Sequence, residues 1–203
     1  MRSVRHPLFG LIRLALLSAL VLTAAPGHAQ AIRIGLSGPF SGGSSPMCES
    51  MRNGVRLAVE EINAIGGIQG RPIELVERDD EARNERGAEI AAELTASKVA
   101  ATIGIVNTGV GLASIEHYQK ARIPLMIAVS TGPLLTRKYA PPASPANFIF
   151  RVSPTLDLEA AILAAELKKR GKHRIALLAD DTPYGDSGVA AFSAAARAAA
   201  LTL

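Results

Sequence analysis

The chain has 203 residues, room for one ordinary domain or part of a two-lobed protein and too little for a large multidomain enzyme. Hydrophobic residues make up 48% and charged residues 20%, which excludes a disordered, collagen-like or low-complexity chain. The formal charge is +4, but Arg2, Arg5 and Arg13 lie in the first 29 residues, and without them the 22 basic residues fall to 19 against 18 acidic. With no Trp and few other aromatics, that balance does not suit a nucleic-acid surface.

Residues 1–29 read as a secretory signal. Arg2 and Arg5 give the positive start, residues 14–25 (LALLSALVLTAA) are apolar, and Pro26-Gly27-His28-Ala29 leads to small residues suited to cleavage. A membrane anchor would need roughly 20 apolar residues, and here Arg13 and Pro26 bound a shorter run. The mature chain is expected in the periplasm. Cys48 is the one cysteine, so no intrachain disulfide and no thiolate metal cluster is expected, and the histidines beyond the leader, His117 and His173, are too sparse for zinc or a His-based triad.

Residues 31–37 (AIRIGLS) read as a strand entering a Gly-Ser loop at 41–46. Met51, Val55, Ala58, Val59 and Ile62 recur at helical spacing, and Gly66-Gly67 ends that helix. Residues 72–78 give a second strand, and Asn84 is expected to cap a helix carrying Ile90, Ala91 and Leu94. A third strand follows at 100–106, a helix from about 109 to 121, and a fourth strand at 124–129. Apolar strands alternating with helices predict an α/β fold with a parallel sheet covered on both faces. After the proline-rich crossing at 141–145, residues 149–153 read as the passage into a second lobe. There Leu158, Ala161, Ile162 and Ala165 form one helix face, and residues 174–179 (RIALLA) form a further buried strand. The expected division is therefore a signal peptide at 1–29, a first lobe at 30–148 and the start of a second, incomplete lobe at 149–203.

No phosphate-binding, dinucleotide, zinc-protease or nucleophile-elbow motif occurs, so no catalytic residue, metal or cofactor is assigned. Asp79-Asp80 and Asp180-Asp181 follow strands and fit helix caps or solvated turns better than an acid/base pair. Asn107-Thr108-Gly109 and Ser130-Thr131-Gly132 carry more weight, because open parallel sheets bind ligands at the carboxyl ends of their strands. At Asn107 and Thr108, backbone N–H groups, the positive end of a helix and a hydroxyl can converge on an anion. With no Arg or Lys in either loop, a small carboxylate suits them better than a phosphate. The alternative is that Thr108 and Ser130 are ordinary N-caps.

Taken together, residues 38–42 (GPFSG), 53–63 (NGVRLAVEEIN), 66–70 (GGIQG), Asp79-Asp80, Ile103-Gly104, Pro124, Phe150-Arg151 and Tyr184-Gly185 resemble the branched-chain amino acid binding proteins, type I periplasmic binding proteins of ATP-driven importers. The resemblance implies a monomeric two-lobed clamp with a parallel sheet in each lobe. That clamp would capture an amino acid or similar small carboxylate and deliver it to an ABC permease in the membrane. It further implies that Thr108, Ser130 and Thr131 hold the ligand carboxylate, that Tyr184 contacts the ligand from the second lobe, and that Met47 stands where an aromatic often packs on the ligand side chain. On the same resemblance, the acidic group for the ligand ammonium comes from beyond Leu203. A ligand sensor of the same fold, taking an amide, urea or an aromatic acid, is the alternative. Tyr184 can also be read as a surface-turn tyrosine, and Cys48 as either a small buried hydrophobe or a thiol at the cleft mouth.

Overall fold

Strand β1 (Ile32–Gly38) occupies the inside of a parallel sheet, because it is paired on both edges by strands that follow it in the chain. The computed structural model describes residues 30–203, and the leader read at residues 1–29 lies outside the described residues. Beyond β1 the elements are α1 (Ser45–Ala64), β2 (Ile73–Asp79), α2 (Asn84–Ala96), β3 (Ala101–Gly104), α3 (Thr108–Ala121), β4 (Leu125–Ile127), α4 (Leu134–Arg137), β5 (Ile149–Arg151), α5 (Leu156–Lys169) and α6 (Pro183–Ala199). The sheet order is β2-β1-β3-β4-β5, with Gly38 opposite Asp79, Ser37 opposite Gly104 and Ile127 opposite Arg151. The α/β class and the parallel sheet flanked by helices are as the alternating pattern requires.

Local chemistry explains the element boundaries. Helix α1 ends where Gly66 and Gly67 take φ of +99° and +74°, a left-handed turn that residues with a Cβ resist. Gly104 is required for a different reason: a Cβ there would run into the Ser37 carbonyl of the neighbouring strand. The main core lies between the sheet and α3, where Ile105, Val110, Ile115, Tyr118, Leu125, Ile127, Leu135 and Ile149 are all buried. Leu36, Cys48, Met51 and Val106 fill the space under α1.

Residues 149–151, in the stretch read as the passage into a second lobe, pair with β4 as the fifth strand of the sheet. Three expectations are corrected. Residues 174–179 do not form a buried strand: the segment makes one parallel bridge, Arg174 to Thr202, and Leu178 is 95% exposed, because no strand lies beside it among the described residues. Helix α5 buries Leu156, Ala160 and Ala164, while Leu158 and Ile162, on the face read as apolar contact, are exposed. Asn84 is the first residue inside α2 rather than its cap, a place taken by Arg83.

Candidate ligand-binding site

The carboxyl edge of the sheet brings together the two loops singled out by their hydroxyls. Thr108 is the first residue of α3, and Asn107 stands at the N-cap without a side-chain capping bond. The first N–H groups of a helix have no intrahelical acceptor, so this end of α3 offers donors and a partial positive charge. Thr108 Oγ1 lies 3.0 Å from Ser130 Oγ, within hydrogen-bond reach, and both residues are buried. Neither hydroxyl is a helix cap; they face each other instead. Two hydroxyls that share one bond keep one O–H in reserve, and in a site withdrawn from water such a donor acts strongly on a negative charge.

The surroundings fix this pair. Gly132 packs on Thr108 so closely that a Cβ there would collide with the threonine side chain. Asn107 Nδ2 donates to Ser44 Oγ over 3.3 Å, tying the loop before α3 to the start of α1, and Asn107 Oδ1 is buried without a hydrogen-bond partner. Met47 lies in the first turn of α1 with its side chain exposed. Thr131 is partly buried and its carbonyl accepts from the Leu156 N–H at 3.0 Å. Thus Thr108 and Ser130 meet directly, with Asn107 and Thr131 beside them in sequence and Met47 on the helix to which Asn107 is tied.

Tyr184 is elsewhere. It lines a hollow of about 320 Å³ between α5, α6 and residues 177–180, together with Leu163, Leu178 and Phe192, and none of the five residues above lines that hollow. Its N–H donates to Thr182 Oγ1, which caps α6.

The acidic pairs brace loops. Asp79 Oδ1 accepts from the N–H groups of Phe40 and Glu81, Asp80 Oδ1 accepts from Ala82, and Asp180 Oδ1 accepts from Thr182 and Gly185. Cys48 is fully buried against Gly38, and burial, with the charge of Asp80 adding to it, pushes its thiol up to about 11. It is a packing residue rather than a reactive thiol at a cleft mouth. Among the described residues no group of His, Cys, Asp and Glu could hold a metal ion, and no helix is long and apolar enough to cross a membrane.

Ser153 was not singled out in the sequence, and Arg151 entered there only as part of the resemblance, with no place in the site. Arg151 Nη2 donates to the Gly132 carbonyl at 2.6 Å, and Ser153 Oγ donates to the Ser130 carbonyl at 2.7 Å. Their partners are main-chain oxygens, which leave no residue signature to search for.

In an open parallel sheet, two hydroxyl-bearing loops meeting at the carboxyl edge stand where α/β proteins bind their ligands. The chain belongs to the periplasmic binding protein family, whose model matches residues 31–203. It is similar to the Leu/Ile/Val-binding protein homolog 3 of Brucella melitensis, with 28% identity over 196 residues, 94% of this chain and 52% of the relative. Among solved structures it resembles an ABC transporter substrate-binding protein from Desulfitobacterium hafniense in complex with Leu, with 31% identity, TM-score 0.71, and coverage of 86% of this chain and 49% of that one. It also resembles the branched-chain amino acid transporter substrate binding protein LivJ from Streptococcus pneumoniae in complex with isoleucine, with 26% identity, TM-score 0.72, and coverage of 81% and 46%. The chain spans about half the length of these relatives. It thus falls among binding proteins rather than enzymes.

Proposed function

We propose that this chain carries the carboxylate-binding part of a periplasmic solute-binding protein that captures an amino acid or similar small carboxylate and delivers it to an ABC permease. The observation that carries this reading is the buried Thr108 and Ser130 hydroxyl pair, 3.0 Å apart at the N-terminus of α3. A carboxylate placed there meets a hydroxyl donor and the positive end of a helix. Thr131 and Asn107 flank the same place, Met47 faces the ligand side chain, and Tyr184 reaches the ligand from a second lobe on closure. The first lobe would comprise residues 30–151, extended to take in β5, and the second would begin with α5. Residues 1–29 would direct export and be removed.

Calorimetric titration with L-leucine and L-isoleucine tests the site. Thr108→Val and Ser130→Ala each remove a hydroxyl donor to a charged group, which contributes roughly 1.5–3 kcal/mol, so each should weaken binding about 10-fold or more with the circular dichroism unchanged. Normal binding by the double variant would leave these hydroxyls a purely structural pair.

A further inference from the structure

We infer that Arg151 and Ser153 are positioning residues for the carboxylate site, holding the loop of Ser130, Thr131 and Gly132 with its carbonyls turned away from the ligand. This inference rests on the site reading proposed above. All three carbonyls of that loop accept from one short stretch of chain. Ser130 O takes Ser153 Oγ at 2.7 Å and Arg151 Nη1 at 3.3 Å, Thr131 O takes the Leu156 N–H at 3.0 Å, and Gly132 O takes Arg151 Nη2 at 2.6 Å. Arg151 is itself held by Thr136 Oγ1 at 3.1 Å and by the Pro154 carbonyl at 3.3 Å.

A trans peptide points its N–H opposite to its C=O. Drawing the Ser130 and Thr131 carbonyls toward residues 153–156 therefore turns the Thr131 and Gly132 N–H groups the other way. Gly132 lies against Thr108. Neither of those two N–H groups has an acceptor among the described residues. The clasp thus leaves two main-chain donors unspent beside the hydroxyl pair.

Arg151 also brings charge. It forms no ion pair with a carboxylate among the described residues, and burial lowers its pKa, the mark of a cation short of compensation. A guanidinium that binds carbonyls and a hydroxyl, and no carboxylate, keeps its positive field for whatever lies on the far side of the loop. Because the same stretch leads from β5 into α5, ligand binding at the loop and the placement of α5 share these hydrogen bonds.

Amide spectra of the ¹⁵N-labelled protein, recorded during titration with L-leucine, L-isoleucine and acetate, provide the test, with Arg151→Met, Arg151→Lys and Ser153→Ala as variants. In the unmodified protein the Thr131 and Gly132 amides should shift on addition of a carboxylate. Arg151→Met should move both signals before any ligand is added and weaken leucine binding roughly 10-fold or more, since charge-assisted bonds are lost. Arg151→Lys should recover part of the affinity by restoring the charge without the fork, and Ser153→Ala should show a smaller loss. L-leucinamide separates positioning from general weakening, because the loss should fall on leucine and spare its uncharged amide. Equal losses for both, or unchanged affinity and amide signals in a folded Arg151→Met, overturn this role while leaving the hydroxyl site standing. If Arg151→Met does not fold, Arg151→Lys and Ser153→Ala decide by the same criteria. Absence of any shift at Thr131 and Gly132 in the unmodified protein, with every probe, overturns the site reading and this inference together.

Discussion

Asp80 is fully buried, its Oδ1 accepts from the Ala82 N–H at 2.9 Å, and its Oδ2 has no partner. Burial above all, with the neighbouring charge of Asp79, pushes it from 3.8 to about 6, against the pull of Ala82 and Ser37. An acid whose pKa is higher in the folded chain holds more protons there than in the unfolded chain between pH 4 and 6. Stability must therefore fall as pH rises through that window and level off above it. Asp80→Asn keeps an oxygen for Ala82 and removes the charge. It should raise stability at pH 7 by up to about 3 kcal/mol and flatten the slope between pH 4 and 6. Urea unfolding at pH 4.5 and 7 measures both, and a variant less stable than the parent at pH 7 would show that the ionised carboxylate is being stabilised instead.

At the scale of elements, α2 and α3 pack against each other at Gly87, where a Cβ would collide with Val110. Gly87→Ala gains roughly 1 kcal/mol of helix propensity but overpacks the crossing, which costs about 1–3 kcal/mol. Net destabilisation in urea unfolding is expected, and a gain in stability would mean that the helices slide apart freely. The same scale shows what was legible in the sequence. Strands β1 to β4 and helices α2 and α3 could be read because each has an apolar stripe or run that a neighbouring element covers; α1 was read from the same spacing, though it buries only Cys48 and Met51 and leaves Ala58 of the read stripe exposed. Helix α5 could not be oriented. Leu156, Ala160 and Ala164 interleave with Leu158, Ala161 and Ile162, so the helix is apolar on two sides and its pattern cannot choose between them. The run at 174–179 has strand character in its residues, but a strand exists only by pairing, and pairing is a property of the neighbour. At the site, Thr108 and Ser130 were legible as polar residues after buried strands, whereas Arg151 works through carbonyl oxygens that every sequence possesses.

For the whole molecule, apolar side chains are distributed unevenly. Ile162, Leu163 and Leu178 are exposed along α5 and the segment before α6, next to the hollow that Phe192 lines. Fluorescence of ANS should therefore rise on mixing with this 203-residue chain. Ile162→Ser with Leu178→Ser should reduce that signal with little change in unfolding midpoint, since neither side chain is in the core. A silent dye, or a large loss of stability in the double variant, would mean that this face is covered in solution.

The place of β1 inside the sheet bears on how the chain is made. Its partners are completed only at Asp79 on one edge and Gly104 on the other. Among the described residues β1 is the first strand to leave the ribosome, and it must wait, unpaired, for dozens of residues; parallel pairing across such separations is slow. On a growing chain β1 thus cannot be paired on both edges until residues as far as Gly104 have been made. An export channel that admits only unfolded polypeptide, and draws it in by the leader proposed above, would meet β1 still pliable.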